Sequence, residues 1–406
     1  MSSGTPTWIR ADWLVLSAER VLHPGWLHHA EGRIVAVGEG APPHAASELG
    51  AVIAPGCVNA HAHLDLSDLP AGRAEGESFF DWLPKLVRAK RAREGQEPQS
   101  SVERGIARLL ETGTTAVADV DASDASELLR AAPLRTVGLG EVLGLDRERC
   151  EAAFERAWAR RASSTERFES GLSPHAPYST HPEALRLAAR WLESGAAVQM
   201  HVLETPEERA WCEREEGPFG EALRALGVPE ALCRSWRAKP LEVLERAGLL
   251  RPRFSIAHGN ELEDDEVAQL ARARVGVVFC PGTHLSFARE REPLDRLRAA
   301  GVDWALGTDG LVTGRDLDLR AQARWGAGLH PGLSPRCWFD AATRGGARVL
   351  GLPAGELLPD RVADWVVYEA PRPLRNADEI FSAWLEGALA VRETWVGGRI
   401  VHRCAR

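Results

Sequence analysis

The sequence predicts an α/β fold, a (β/α)8 barrel of the TIM type with a small β domain built from both chain ends. Three observations predict it. Eight apolar segments of strand length follow one another, helical patterns separate them, and short β-rich segments lie near both termini. The 406 residues are enough to form one large barrel.

The small β domain is predicted from segments at the two chain ends. "DWLVLS" and "GRIVAVG" lie near the start, and "ADWVVYE" and "ETWVGGRIVHR" lie near the end, each next to turn residues. Because chain termini often lie close together, these segments can pair in one domain. We expect residues 1–54 and 355–406 to form this domain and residues 55–354 to form the barrel.

The barrel strands are predicted from eight apolar segments. They are "AVIAPGCVNA" from Ala51, "TTAVADV" from Thr114, "LRTVGLGEV" from Leu134, "FESGLSPHA" from Phe168, "AAVQMHV" from Ala196, "RFSIAHG" from Arg253, "RVGVVFC" from Arg274 and "VDWALGTD" from Val302. Helical periodicity marks the intervening stretches, for example "PEALRLAARWLESG", where a glycine closes the pattern.

Charge and cysteine content exclude several classes of function. The net charge of −9 argues against nucleic acid or an anionic membrane as the main partner, because both require a basic surface. The seven cysteines are scattered without a C-x-x-C pair, which argues against a disulfide framework and a thiolate zinc site. With no signal-peptide pattern and no 18-residue apolar run in the sequence, we expect a cytoplasmic protein.

Ionisable residues gather at the ends of the predicted strands, where barrels of this type place their active sites. His61 and His63, two residues apart, would project to one face of the first strand. Two buried imidazoles need a shared acceptor or a shared cation, although a satisfied pair of core histidines is the alternative. The other strand ends carry Asp119, Glu141, His175, His201, His258, Cys280 and Asp309.

Five motifs around these residues resemble the amidohydrolase superfamily, in its deaminase and chlorohydrolase branch. They are, in chain order, "PGCVNAHAHLDL", "SPHAPYST", "HVLET", "AHG" and "ALGTDG". The resemblance extends over about the whole chain, because the flanking β segments match the composite β-sandwich of that family. It implies a distorted barrel carrying that sandwich.

The resemblance implies one divalent metal ion, with His61, His63, His201 and Asp309 as its ligands. Three imidazoles and a carboxylate suit Zn²⁺, which we favour, and also Fe²⁺. The chain has no lysine between Lys90 and Lys239, so the fourth strand lacks the carboxylated lysine of binuclear relatives. A mononuclear site is therefore expected.

Catalytic roles follow from the same resemblance. Asp309 would orient the water and accept its proton, and His258 would hydrogen-bond the attacking hydroxide without binding metal. Glu204 lies three residues after His201 and could protonate a ring nitrogen of an aromatic amidine, then pass protons to the leaving amine. The alternative for Glu204 is a first-turn carboxylate of the helix near "TPEERA".

The substrate side is predicted from "LDLSDL" and "ESFFDWLPKLVRAKR". These stretches resemble aminofutalosine deaminases, which remove ammonia from the adenine ring of a menaquinone precursor. In that reading Phe79, Phe80 and Trp82 form an aromatic wall, and Arg88 meets a substrate carboxylate. Alternatively, Phe80 belongs with Leu83 and Leu86 to the core face of a helix.

Further candidates for substrate contact are His175 and, with less support, Glu141 and Asp119, whose carboxylates could instead satisfy loop amides. Two positions depart from the family pattern. His284 in "CPGTH" replaces an expected asparagine, and Asp65 stands where glutamate is commoner. Both are expected near the substrate.

We therefore expect a metal-dependent hydrolytic deaminase of an aminated purine-like heterocycle, with an aminofutalosine-type adenine ring favoured. A small heterocycle is the expected partner, no nucleic acid or membrane is expected, and a homodimer is left open. The alternatives are another mononuclear enzyme (a guanine, cytosine or S-adenosylhomocysteine deaminase, or a triazine chlorohydrolase) and a catalytically silent barrel that serves as a scaffold.

Overall fold

The computed structural model of the chain describes residues 7–50, 52–69, 77–93, 97–122, 125–161, 164–290 and 293–404. The described residues form eighteen strands in three sheets. In chain order they are β1 (Thr7–Ala11), β2 (Trp13–Val15), β3 (Val21–Leu22), β4 (Gly25–Ala30), β5 (Arg33–Glu39), β6 (Ser47–Glu48), β7 (Val52–Pro55), β8 (Cys57–Ala62), β9 (Thr114–Asp121), β10 (Arg135–Val142), β11 (Phe168–Pro174), β12 (Val198–Val202), β13 (Phe254–His258), β14 (Gly276–Phe279), β15 (Trp304–Leu306), β16 (Trp365–Glu369), β17 (Ala390–Val396) and β18 (Arg399–Arg403).

Helices lie mainly between strands β8 to β15. They are α1 (Phe79–Arg91), α2 (Glu97–Glu111), α3 (Ser126–Ala131), α4 (Arg147–Arg161), α5 (Pro182–Glu193), α6 (Pro206–Arg214), α7 (Phe219–Ala225), α8 (Pro240–Arg246), α9 (Asp264–Ala273), α10 (Pro281–Ser286), α11 (Leu294–Ala299), α12 (Leu311–Gly314), α13 (Leu319–Leu329), α14 (Pro335–Asp340), α15 (Gly346–Leu350) and α16 (Ala377–Glu386). Among the described residues, none of these helices combines the length and the apolar character needed to cross a bilayer.

One of the three sheets is an eight-stranded parallel barrel. Strands β8 to β15 are neighbours in chain order, and a parallel bridge between Ala62 and Asp309 joins the last strand to the first. The backbone N–H groups of Thr308 and Asp309 both donate to the His61 carbonyl, at 2.9 and 3.1 Å. The predicted (β/α)8 fold is therefore confirmed, and its closure lies beside the first histidine motif.

The chain ends form the other two sheets, which pack face to face as a β-sandwich. One sheet has the order β5-β4-β1-β6 and the other β18-β17-β16-β7-β2-β3. Ile9 and Leu27 of the four-stranded sheet share a buried cluster with Ile53 and Trp365 of the six-stranded sheet. Alternate residues of the six-stranded sheet, such as Val366, pack instead with barrel residues, because side chains of a strand alternate between its faces.

The first predicted strand, "AVIAPGCVNA", is divided between two sheets. Strand β7 pairs in the sandwich and β8 in the barrel, with Gly56 between them. A Cβ atom at Gly56 would lie 2.2 Å from the Thr115 side chain, so only glycine permits this crossing. The domain boundaries predicted above, 1–54 with 355–406 and 55–354, remain a proposal.

Candidate metal centre and active site

Four histidines and one aspartate meet at the carboxyl ends of the barrel strands. His61 lies in β8, His63 follows it, His201 lies in β12, His258 ends β13, and Asp309 follows β15. The four histidines are buried, and the Asp309 side chain is 13% exposed. Their potential ligand atoms form two groups, His61 with His201 and His258, and His61 with His63 and Asp309, and the atoms of each group lie within 4.8 Å of one another.

His61 is held by Gln199, which lies on β12 two residues before His201. The Gln199 Oε1 atom accepts a hydrogen bond from Nδ1 of His61 at 2.6 Å, and its Nε2 donates to the Ala60 carbonyl and to Ser255, each at 3.0 Å. With Nδ1 as the donor, Nε2 of a neutral His61 carries a lone pair. That buried nitrogen has no hydrogen-bond partner among the described residues, so it is available to a metal ion.

His63 and His201 direct their Nε2 atoms at each other, 3.1 Å apart. The Nδ1 atom of His201 donates to the His175 carbonyl at 2.8 Å, so Nε2 of a neutral His201 carries a lone pair. Either one proton lies between these two nitrogens or both nitrogens face a shared cation. Nitrogens at this separation can bind one tetrahedral ion, since zinc–nitrogen bonds are about 2.0–2.1 Å long.

Asp309 presents one carboxylate oxygen to the histidines. Its Oδ1 lies 3.7 Å from Nε2 of His61 and 3.5 Å from Nε2 of His63. Its Oδ2 accepts hydrogen bonds from the hydroxyls of Thr283 at 2.7 Å and Thr313 at 3.2 Å. The two threonines therefore occupy one oxygen and leave the other free for a ligand bond.

The backbone at this centre adopts uncommon conformations. Asp309 has a φ of 55° and His258 a φ of 70°, both in the left-handed region that residues with side chains seldom adopt. Leu203, just before Glu204, has a φ of 54°. Such strain is typical of functional sites, because the surrounding structure must stabilise it.

Burial keeps three of these histidines neutral. It lowers the pKa of His201 to about 3 and of His258 to about 4, and it holds the pKa of His63 well below the ordinary value, with neighbouring histidines adding to the effect. Burial alone would raise the pKa of Asp309, but the neighbouring imidazoles, first that of His61 and then those of His63 and His258, hold it well below its ordinary value. Neutral imidazoles and an ionised carboxylate are the forms that bind a divalent metal ion.

The donor set fits a zinc or ferrous ion. It offers nitrogen atoms of His61, His63 and His201 and one oxygen of Asp309, which belong to two groups of potential ligand atoms that share His61. His258 lies close enough to act as a further donor, with its ring centre 5.6 Å from that of His201 and 5.8 Å from that of His61. The geometry therefore leaves the division between ligand and non-ligand histidines open.

Glu204 lies beside this cluster in an environment that favours its protonated form. Burial raises the pKa of its carboxyl group to about 7, and the Arg289 guanidinium, 3.5 Å away, opposes that rise. Glu204 precedes the α6 cap Thr205, and the first-turn carboxylates of α6 are Glu207 and Glu208, of which Glu208 accepts the N–H of Glu204 at 3.0 Å. The alternative role predicted for Glu204 thus belongs to Glu207 and Glu208.

A cavity with an empty volume of about 640 Å³ opens onto the cluster. Apolar side chains from α1 form one wall of it, namely Phe79, Trp82, Leu83 and Leu86. Polar groups from the strand ends line it as well, namely His63, Glu141, His175, His201, Glu204, His258 and Asp309. The apolar wall and the convergent polar groups are what a small aromatic ligand requires.

Two residues that were predicted to contact substrate, His175 and Asp119, form hydrogen bonds with neighbouring protein groups. His175 lines the cavity, and its Nδ1 pairs with the Ser179 hydroxyl at 2.6 Å. Asp119 instead accepts the backbone N–H of Leu64 at 2.8 Å, so it holds the chain directly after His63. The loop-amide alternative predicted for Asp119 is the one that this geometry matches.

Three predicted contacts lie away from the cavity lining. Arg88 is exposed on α1, and Phe80 packs against Phe219, with ring centres 4.8 Å apart. His284 is buried beside Phe279, at a ring distance of 5.6 Å, and burial lowers its pKa to about 4. The physical reason is helical phase, since neighbouring residues of a helix point about 100° apart.

The cavity is lined by Lys90 of α1 where Arg88 was predicted, and by Thr283 of α10 where His284 was predicted. Lys90 continues the spacing of Phe79, Trp82, Leu83 and Leu86, so the periodicity of α1 could have identified it. Thr283 directly precedes His284, and the sequence offers no signal for choosing between them. Gln199 could have been found because it shares a strand face with His201.

Comparisons with known proteins support one family. The sequence profile of the amidohydrolase family matches residues 52–401. The chain is 32% identical over 327 residues to aminodeoxyfutalosine deaminase of Deinococcus radiodurans, which covers 76% of each chain. It is 28% identical over 391 residues to a 5-methylthioadenosine/S-adenosylhomocysteine deaminase of Natronomonas pharaonis, covering 91% of this chain and 86% of that relative.

A solved structure agrees in fold. An adenosine deaminase of Xanthomonas campestris with bound zinc superimposes with a TM-score of 0.82 at 25% identity, covering 97% of this chain and 92% of the other.

Proposed function

The chain belongs to the amidohydrolase family, and from that premise we propose that it is a metal-dependent hydrolytic deaminase of an aminated purine-like heterocycle. An adenine-type ring is favoured, and one Zn²⁺ per chain is the proposed metal. The reaction converts a ring carbon bearing an amino group, with one water molecule, into a ring carbonyl and ammonia.

One observation carries this proposal. A carboxyl group with a pKa of about 7, that of Glu204, lines the same cavity as the Asp309 carboxylate, which carries a negative charge at neutral pH. Two carboxyl groups in different protonation states can divide the work of an acid and a base. A hydrolytic deamination needs both, because water must lose a proton and the ring must gain one.

The proposed metal residues are His61, His63, His201 and Asp309. When bound, a divalent ion supplies Lewis acidity, which lowers the pKa of a water molecule from about 15.7 to about 7. Gln199 supports this role because its bond to Nδ1 fixes the His61 tautomer that offers Nε2.

The protein residues then move the protons. Asp309 accepts a proton from the attacking water, and a neutral His258 donates a hydrogen bond to the oxygen as it adds to the ring carbon. Glu204 protonates the adjacent ring nitrogen, which draws electrons from the carbon under attack. Glu204 then takes the proton of the added hydroxyl group and passes it to the exocyclic amine, which leaves as ammonia while the carbonyl forms. The proton held by Asp309 returns to Glu204, which restores both carboxyl groups.

The apolar wall of α1 is proposed to bind the flat ring. Phe79 and Trp82 are almost fully buried and line the cavity, and Phe287 packs edge to face against both, with ring centres 5.6 Å and 5.4 Å away. An aromatic heterocycle that packs against this aromatic wall gains ring contacts and leaves bulk water. The names of the deaminases that this chain resembles, which act on adenine nucleosides, support an adenine ring.

The proposal is tested by ammonia release and metal analysis. Protein reconstituted with zinc is incubated with adenosine, 5′-methylthioadenosine, guanine, cytosine and a pterin, and released ammonia is measured. We expect turnover with an adenine compound and about one metal ion per chain. Protein that binds no zinc or iron on reconstitution, or that releases ammonia from none of these compounds, would contradict the proposal.

A variant separates chemistry from folding. Glu204→Gln should retain the metal and lose roughly a hundredfold or more of kcat, the size of a typical acid–base contribution. Glu155→Gln, which changes an exposed glutamate of α4, is the matched control and should behave as the parent protein. Loss of metal from Glu204→Gln would show that Glu204 has a different role.

A further inference from the structure

The position of Glu204, the proposed acid, depends on its backbone. The contact of its carboxyl group with Arg289 is long, at 3.5 Å, which is a weak constraint. Leu203, directly before it, has a φ of 54°, a conformation that costs free energy and persists only where surrounding contacts impose it. The contacts that hold this segment therefore determine where the Glu204 carboxyl group lies.

Glu208 holds the N–H groups of this segment. Its Oε1 atom accepts the N–H of Leu203 at 2.8 Å, and its Oε2 atom accepts the N–H of Glu204 at 3.0 Å. Glu208 lies in the first turn of α6 and is fully buried. Burial raises the pKa of its carboxyl group, and these two hydrogen bonds oppose that rise. One side chain thus ties two consecutive residues of the backbone to the start of α6.

The loop after β13 holds the carbonyl groups of the same segment. The N–H of Glu261 donates to the Leu203 carbonyl at 3.0 Å, and Nδ2 of Asn260 donates to the Glu204 carbonyl at 3.0 Å. Asn260 is only 3% exposed, so water hardly competes for this bond. The loop begins directly after His258, and it therefore connects the backbone of the proposed acid to another proposed catalytic residue.

We propose that Glu208, assisted by Asn260, is a positioning residue that holds the Glu204 backbone so that its carboxyl group reaches the substrate ring. This inference rests on the proposed deaminase function. Glu208 and Asn260 lie outside the cavity lining of the described chain, whereas Glu204 belongs to it. They would therefore act through Glu204. A displacement of about 1 Å in a catalytic group can cost about a hundredfold in rate.

The first test is the steady-state kinetics of zinc-reconstituted protein with adenosine and 5′-methylthioadenosine. Glu208→Met removes both acceptors, and we expect kcat to fall about 10- to 100-fold while KM changes less than about threefold. Glu208→Gln keeps one accepting oxygen and should lose less. Glu207→Met, which changes the neighbouring carboxylate in the same turn of α6, is the matched control and should keep the parent kcat.

A double variant shows whether Glu208 acts through Glu204. In protein that already carries Glu204→Gln, adding Glu208→Met should lower kcat no further, because the carboxyl group to be positioned is gone. A further loss of about tenfold in the double variant would overturn the inference. Loss of zinc from Glu208→Met, or a rise in KM with kcat unchanged, would also overturn it, since neither follows from a displaced acid.

A structural measurement keeps this inference separate from the deaminase proposal. Crystal structures of the parent protein and of Glu208→Met need no turnover, and we expect the Glu204 carboxyl group to be displaced by about 1 Å or more in the variant, with His201 in place. An unchanged position of Glu204, or a kcat equal to that of the parent, would overturn the inference.

If the parent protein releases no ammonia, the proposed function fails, while the displacement of Glu204 still decides the positioning role. If Glu208→Met does not fold, Glu208→Gln, which keeps the shape of the side chain, takes its place in all three measurements.

Discussion

Gln199 and His61 are joined by a 2.6 Å hydrogen bond across the barrel, from Nδ1 of the histidine to Oε1 of the amide. The bond connects β12 to β8, and both side chains are fully buried. It fixes which ring nitrogen of His61 carries the proton. The most buried donor of the proposed metal site therefore depends on a residue that touches no substrate.

Replacement of Gln199 should weaken metal binding. In Gln199→Met the imidazole of His61 loses its acceptor and can adopt either tautomer, and we expect roughly a 10- to 100-fold loss of zinc affinity. The measurement is a competition titration with a chromophoric chelator. Gln269→Met on α9, a helix that contributes nothing to the cavity lining, is the control. Unchanged zinc affinity in Gln199→Met would show that the bond does not orient a ligand.

The hydroxyl of Thr283 should matter for Asp309. It donates to Oδ2 at 2.7 Å, and Thr283→Val would let the carboxylate rotate away from the histidines. We expect about tenfold weaker zinc binding, the equivalent of one hydrogen bond to a charged group. Thr283→Ser keeps the hydroxyl and should restore most of the affinity. If valine and serine give the same affinity, packing rather than the hydrogen bond is the cause.

The pH dependence of activity should report Glu204. The proposed acid works in its protonated form, so kcat/KM should fall as pH rises through about 7, the pKa to which burial raises this carboxyl group. The Arg289 charge lowers that pKa, so Arg289→Met should raise it and move the falling limb to higher pH. Initial rates across a pH series locate the falling limb of the parent protein and that of Arg289→Met.

The control for this pH series is Arg375→Met, which removes an exposed arginine near the chain end. Its profile should coincide with that of the parent protein. A falling limb that does not move in Arg289→Met would mean that another group controls it. A limb that moves to lower pH would contradict the assignment of Arg289 as the cation that stabilises ionised Glu204.

The barrel and the positions of its chemical groups were predictable because their signals are local. Strand-length apolar segments ended within one residue of His61, His201 and His258, and parallel strands bring such ends together. Glu204 was found from its spacing to His201. These features depend on the order of residues along single strands, which the sequence contains directly.

Other features depend on the phase of short helices and on contacts between distant segments. Arg88 was expected in the cavity where α1 instead presents Lys90, and His284 where α10 presents Thr283. A one-residue error in helical phase turns a side chain by about 100°. The chain crosses between two sheets at Gly56, where the Thr115 side chain leaves no room for a Cβ atom. Thr115 is distant in the sequence, so no local pattern around Gly56 predicts this crossing.

The ion pair between Arg135 and Asp364 should stabilise the junction of the barrel and the sandwich. Arg135 begins β10, Asp364 precedes β16, their side chains are 6% and 1% exposed, and Nε lies 2.6 Å from Oδ2. Arg135→Met would leave the buried Asp364 carboxylate without its ion-pair partner and with the Gly397 N–H as a donor, and we expect a loss of about 3–5 kcal/mol in the free energy of unfolding. The exposed pair Arg147 and Glu151 is the control, and Arg147→Met should cost no more than about 1 kcal/mol. Denaturant unfolding measures both variants, and because neither lies at the cavity, zinc affinity should stay unchanged. Equal stability of Arg135→Met and the parent protein would show that the carboxylate finds other partners.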